Sequence, residues 1–329
     1  MTSGGPIAVI PARNEAGRIG RSVTALRDQG ADVVVVANGC SDATANVAEA
    51  AGAQVIVLPV LAGGVGEARA IGCEAALRLR HTPEMLLTSD ADCYLGTGSL
   101  AALRVALARA DAAAGRVVPD PVEFAALPVH VQLHGNLEDL RDALLAEISY
   151  HVMPMAHDPL PRHGQAPSAL LAFRPDAYRD VGGFAHFACN EDRDIVARLC
   201  RAGFAVAHPW NAIAFASCRL KGRAVGGMAD TIAQRTVADL GTATARLSRQ
   251  CEYLTRVVDA LRADGQVAIE KLTELTGKIG SCGTGKHQTR PEQYQCDPSA
   301  PQPTLIPSNL SKTPCMCRRR LHWNTNSSR

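Results

Sequence analysis

Two carboxylates, Asp90 and Asp92, stand two residues apart directly after the apolar run Met85–Thr88. In a strand, alternate side chains leave on the same side, so the pair can face one crevice. Their mutual repulsion calls for a divalent cation, and Mg²⁺ or Mn²⁺ takes such oxygen ligands together with substrate phosphates. The competing reading is a turn in which one aspartate caps a helix starting near Thr97.

A second acidic group, Asn190-Glu191-Asp192-Arg193-Asp194, opens a helical segment that runs to Gly203. Asparagine is a favoured N-cap, and acids in a first turn complement the helix dipole. A carboxylate used only in that way has a lowered pKa and makes a poor base. Near a bound cation and a diphosphate, the same Asp192 can accept a proton from an attacking hydroxyl. Spacing leaves both readings open. Gly63-Gly64-Val65-Gly66, followed by Glu67 and Arg69, offers backbone N–H groups and a helix N-terminus to an anion. It lacks the dinucleotide fingerprint, because Arg69 stands in place of the third glycine. Arg69 lies one turn into that helix, either reaching a diphosphate or solvated on the helix face. Of the ten histidines, His151, His157 and His163 fall in a Pro-rich stretch that reads as a solvated or substrate-contacting loop. His208 reads as a further metal ligand or as a satisfied imidazole at the core edge.

Positioning these groups requires a parallel sheet. Ile7–Ile10, Asp32–Val36, Gln54–Leu58, Met85–Thr88, Ala169–Phe173 and Phe204–Ala207 read as strands. Residues 15–29, 42–51, 65–80, 99–110, 138–150, 191–202 and 228–262 read as helices. In the third of these, Ala68, Ile71, Ala75 and Leu79 mark a buried stripe. Alternating strands and helices imply right-handed βαβ units and a mostly parallel sheet covered on both faces. In such sheets ligands bind beyond the carboxyl ends of the strands. The ends here are Pro11-Ala12-Arg13-Asn14-Glu15, Asn38-Gly39-Cys40-Ser41-Asp42 and Ser89-Asp90-Ala91-Asp92.

Composition narrows the function classes. The 329 residues carry 34 basic and 32 acidic groups, a balance that gives no argument for a nucleic-acid or membrane-surface protein. Aromatics are 4% of the chain, too few for a platform that stacks single-stranded nucleic acid. No apolar run reaches the ~20 residues that cross a bilayer, and Arg13, Glu15 and Arg18 interrupt any signal peptide. The eleven cysteines include no CxxC pair and read as reduced thiols. The chain reads as a cytoplasmic protein. Near residue 276 the composition turns to Gly, Ser, Thr, Pro and Gln, with eight Lys/Arg against two Asp/Glu from there on. The expected organisation is one α/β domain over 1–265 and a disordered basic tail over 266–329. Within the tail, Gly280–Lys286 imitates a phosphate loop, but His287 stands where a metal-binding Ser/Thr is needed. The spacing of Cys296, Cys315 and Cys317 is wrong for the common structural zinc sites.

Over roughly residues 5–220 the ordered set resembles a family 2 glycosyltransferase with the GT-A fold. The elements are Ile10–Glu15, Asn38–Asp42, Gly66–Gly72 with Arg69, Asp90-Ala91-Asp92, Val181-Gly182-Gly183-Phe184, and Glu191-Asp192 with Arg198 and Gly203. The resemblance implies a Rossmann-like, mostly parallel sheet flanked by helices and a nucleotide-sugar donor transferring to an acceptor hydroxyl. It implies donor contacts from Pro11, Ala12, Arg13, Glu15, Asn38, Arg69 and Asp90. It makes Asp92 the principal ligand of Mg²⁺ or Mn²⁺, with Asp90 beside it. Glu191-Asp192 would be the catalytic acid pair, with Asp192 the base of an inverting displacement. Asn38 replaces an expected Asp, which leaves uridine and guanosine open. Gln234-Arg235-Thr236 lacks the Trp of processive members, implying single addition. The rival readings are a sugar-1-phosphate nucleotidyltransferase, a retaining transferase and a non-catalytic nucleotide-sugar-binding protein.

Overall fold

A continuous run such as Val33–Val36 sends side chains to both faces of a strand, so it is stable only where both faces are covered. The computed structural model describes residues 4–222 and 227–263 and covers both faces of this run. Its strands are β1 (Ile7–Ala12), β2 (Asp32–Asn38), β3 (Gln54–Leu58), β4 (Leu86–Ser89), β5 (Cys93–Leu95), β6 (Ala112–Ala114), β7 (Arg116–Pro119), β8 (Leu170–Phe173), β9 (Val206–Ala207) and β10 (Ile213–Ala216). Its helices are α1 (Ile19–Arg27), α2 (Thr44–Ala50), α3 (Gly64–Leu79), α4 (Ser99–Leu107), α5 (Pro121–Ala125), α6 (Val129–Val152), α7 (Pro175–Asp180), α8 (Glu191–Arg201), α9 (Met228–Val237) and α10 (Gly241–Ala263).

Seven strands form one sheet in the order β3-β2-β1-β4-β8-β6-β9, and three form a second in the order β5-β10-β7. In the large sheet β8 runs antiparallel to its neighbours β4 and β6, and the remaining pairs are parallel. The expected α/β architecture, a mostly parallel sheet flanked by helices, is present. Ile10, Val33, Val35 and Leu87 face one core with Ile19, Val23 and Leu26 of α1 and Leu100 and Leu103 of α4. Ile7, Val9, Val34, Leu86 and Phe173 face the other, with Cys73 and Ala76 of α3 and Ile195, Val196 and Leu199 of α8. Two apolar cores thus cover the two faces of the sheet and anchor the rim at the carboxyl ends of β1, β2 and β4. A smaller cluster, Leu144, Leu254 and Val258, joins α6 to α10.

Several predicted elements are corrected. The expected helix over 228–262 is two helices, because Ala238 is extended (φ −84°, ψ 146°) and Asp239 accepts from Gly241 N–H at 2.9 Å. The helix expected from 138 starts at Val129, after Pro128. In α3 the buried face is Ala68, Arg69, Gly72, Cys73 and Ala76, while Leu79 is exposed. The expected stripe failed because this interface selects small residues: a Cβ on Gly72 would lie 2.4 Å from Val9 Cγ1 and 2.9 Å from Val36 Cγ2. His151 closes α6 rather than lying on a loop, while His163 lies between elements as expected but is buried rather than solvated. The tail expected over 266–329 lies outside the described residues, as do its phosphate-loop imitation and its cysteines.

Candidate active site

Because β1 and β2 pair from Ile7↔Asp32 to Ala12↔Ala37, they deliver their ends to one edge. The loops beyond are stitched to each other. Asn14 takes a positive φ of 54°, a region that asparagine tolerates, and its Oδ1 accepts from Ser41 N–H at 2.8 Å. Asp42 accepts from Ala16 N–H at 3.1 Å and from Thr44 N–H at 3.0 Å. A further hydrogen bond from the Thr44 hydroxyl holds its carboxyl below the ordinary range. Pro11 and Ala12 are buried in β1, and Arg13 is exposed at the rim. Asn38 is buried, and its Oδ1 accepts from Leu61 N–H at 2.9 Å, so the amide expected at the nucleobase anchors the β3–α3 loop.

Asp90 and Asp92 are not two steps along one strand. β4 ends at Ser89, and the chain turns through residues 90–92 into β5. Neither caps a helix, since α4 begins at Ser99 after Gly98. The turn nevertheless brings the pair together: ligand atoms of Asp90, Asp92 and Cys93 all lie within 4.8 Å of one another. Two oxygen donors beside a buried thiol suit a hard cation held by the carboxylates alone. Burial and the flanking aspartates push the Cys93 thiol well above its ordinary pKa, which keeps it protonated.

Two arginines organise the acids. Arg69 reaches from α3 and divides its guanidinium between Asp90 at the β4 end and Glu191 at the start of α8. It is 2% exposed, so it is not a solvated helix-face residue. Burial holds the Asp90 and Glu191 carboxyls above their ordinary range despite this guanidinium. Arg219, beyond β10, bridges Glu15 and Asp92: Nη1 lies 2.6 and 2.7 Å from the two Glu15 oxygens, and Nη2 lies 2.8 Å from Asp92 Oδ2. Burial likewise raises Asp92, against the pull of Arg219. No spacing signal points to Arg219; only the pairing of β10 with β5 brings it to Asp92.

Asp192 joins the same group of charges, since its carboxylate acts on both Asp90 and Arg69. Its Oδ2 accepts from Ser168 N–H at 3.2 Å and its Oδ1 from Arg193 N–H at 2.7 Å. Asn190 sits at the N-cap with φ 62° but makes no capping side-chain bond. Glu191 is spent on Arg69 rather than on its own helix end. The arrangement is a rim of five carboxylates held apart by two arginines, suited to binding a cation with an anionic ligand.

Residues 7–154 match the model of glycosyl transferase family 2. The matched segment holds β1 to β7 and includes both Asp90 and Asp92. Among curated proteins none matches the sequence. Among solved structures it is similar to S. aureus TarS 1-349 in complex with UDP-GlcNAc, at 16% identity and TM-score 0.49, over 84% of this chain and 79% of that one. It is also similar to the Pyrobaculum calidifontis mannosyltransferase PcManGT in complex with GDP-Man and Mn²⁺, at 16% and 0.46, over 86% and 77%. A third similar structure is Mycobacterium tuberculosis glucosyl-3-phosphoglycerate synthase with Mn²⁺, UDP and glucosyl-3-phosphoglycerate, at 18% and 0.45, over 76% and 80%. Against a longer TarS chain, the match spans 36% of that chain.

The glycine loop is not the open anion cradle that its sequence suggested. Gly66 N–H donates to Phe187 O at 3.0 Å, and a Cβ on Gly66 would lie 2.5 Å from both Ala185 O and Phe187 O. The glycines admit the backbone of 185–188 against the start of α3. His208 is a satisfied core imidazole: it is 2% exposed, and its Nδ1 lies 2.8 Å from Asp158 Oδ2. Among the described residues, no helix is long and apolar enough to cross a membrane.

Proposed function

We propose that the protein transfers a sugar, of the hexosyl type, from a nucleoside-diphosphate sugar to an acceptor hydroxyl with inversion, using a catalytic domain over residues 1–265. The observation that carries this is the convergence of Asp90 and Asp92 at the strand-end rim, beside Arg69, Glu191 and Asp192. Asp92 and Asp90 would hold Mg²⁺ or Mn²⁺, which supplies charge neutralisation for the departing diphosphate. Pro11, Ala12, Arg13, Glu15 and Asn38 shape the edge that receives the nucleoside. Arg69 keeps Asp90 and Glu191 fixed, so the acids need no rearrangement when charge develops. Asp192 takes the proton from the acceptor hydroxyl as that oxygen attacks the anomeric carbon from the face opposite the diphosphate. Glu191, paired with Arg69, serves as the group that orients the pair rather than as the base.

The test is release of nucleoside diphosphate from UDP-, GDP- and dTDP-sugars in the presence of acceptor hydroxyls. Asp192→Asn should lower turnover by about 10²–10⁴-fold, the usual worth of a positioned base, with donor affinity intact. Retained turnover would remove Asp192 from the role. A β-configured product from an α-configured donor establishes inversion; the opposite outcome assigns a retaining reaction.

A further inference from the structure

Arg219 stands where a divalent cation would neutralise Asp92. Its Nη2 lies 2.8 Å from Asp92 Oδ2 while Nη1 grips Glu15. The side chain is 15% exposed, so this is an enclosed pairing rather than a surface one. Asp90 is neutralised separately, by Arg69. With Asp192, five carboxylates (Glu15, Asp90, Asp92, Glu191 and Asp192) surround these two guanidinium groups, an excess of negative charge that a divalent cation would offset. The backbone around Arg219 is pinned independently of its side chain: Ser217 N–H donates to Asp92 O at 3.1 Å, and Cys218 N–H donates to Glu123 Oε2 at 2.7 Å. Only the side chain has to move for the pairing to open.

We propose that Arg219 and the divalent cation compete for Asp92, and that the cation and the nucleoside diphosphate therefore enter together. The proposal rests on Asp90 and Asp92 being the cation site. A cation arriving alone must displace a guanidinium that then loses a charged partner in a partly enclosed site. A diphosphate arriving with it supplies oxygens that the planar guanidinium matches as well as it matches a carboxylate. Arg219 is thus a positioning residue in the unliganded protein and a donor-contacting residue in the loaded one.

The experiment measures Mn²⁺ binding without nucleotide, by the paramagnetic resonance of the free aquo ion, in the wild type and in Arg219→Gln. The Gln variant should bind Mn²⁺ about tenfold more tightly, the scale of one charge-assisted hydrogen bond. UDP and GDP, each titrated at saturating Mn²⁺, should bind the variant about tenfold more weakly than the wild type. Equal Mn²⁺ affinity in the two proteins overturns the competition while leaving the cation site standing. No Mn²⁺ binding in either overturns the cation site and the proposal with it. A wild-type measurement guards against a misfolded variant: the Arg219 Nε–H resonance, assigned by its absence from Arg219→Lys, should shift when Mg²⁺ and UDP or GDP are added together. A resonance unmoved at saturation overturns the proposal.

Discussion

Replacing Arg69 by methionine removes one guanidinium and strands two carboxylates of unequal exposure. The Glu191 side chain is 5% exposed and that of Asp90 is 35% exposed, while Arg69 is 3% exposed. Breaking a buried pair by deleting one partner costs about 3–5 kcal/mol. Most of that loss falls on Glu191, because water screens Asp90. For a domain of this size, it corresponds to a fall in Tm of roughly 10 °C. The loss depends on pH. Burial already holds Glu191 above its ordinary value of 4.5, so the folded protein keeps that proton to higher pH than the unfolded chain does. A raised carboxyl contributes stability at low pH that is lost as pH rises through the folded value. Without Arg69 the shift grows, so the deficit of the variant is largest near neutrality and shrinks towards about pH 5. Urea unfolding of the wild type and Arg69→Met at about pH 8 and about pH 5 measures both effects. A deficit below about 1 kcal/mol, or one equal at the two pH values, would refute the reasoning that Arg69 is the counter-ion of a buried acid.

Three further outcomes are expected. Burial pushes His163 down to about 3 from its ordinary 6.5, and its Nδ1 already accepts from Gln165 N–H at 3.1 Å. The unfolded chain therefore takes up a proton that the folded protein refuses, and stability falls by about 1.4 kcal/mol between neutrality and about pH 5.5. His163→Gln should remove that share of the acid slope in urea unfolding, and an unchanged slope would contradict the assignment. Gly66→Ala drives a Cβ into the Ala185 and Phe187 carbonyls and should cost about 1–3 kcal/mol with earlier proteolysis within 185–188; a neutral melting curve would show that the contact is soft. Arg219→Lys keeps the charge but not the fork, so its Mn²⁺ affinity should fall between those of the wild type and Arg219→Gln; an affinity outside that interval would contradict a competition set by charge and fork together.

The fold was legible where burial on both faces leaves its mark, as in Val33–Val36, and where polar residues follow an apolar run, as at Ser89-Asp90-Ala91-Asp92. It was illegible where packing rather than residue type makes the strand: Ala112–Ala114 has no β-branched residue yet is buried to 0% in β6. The α3 stripe misled for the same reason, since the sheet there accepts Gly72 and rejects bulk. The acidic pairs could be read from spacing, because neighbours in the chain remain neighbours in the site. Arg219 could not, since it meets Glu15 and Asp92 only after β10 has paired with β5 and β7. Likewise, Asn38 shows a nucleobase-binding residue type in the sequence, but the Leu61 N–H that claims its oxygen comes from beyond the next strand.

The most direct measurement of the central claim is calorimetric titration of UDP and GDP into the wild type and Asp92→Ala, each with and without Mn²⁺. Binding of at least one nucleotide that requires Mn²⁺ in the wild type and is lost in Asp92→Ala is the expected result. Equal affinity with and without the cation, or full retention in Asp92→Ala, would contradict the assignment of the strand-end carboxylates as the cation and diphosphate site.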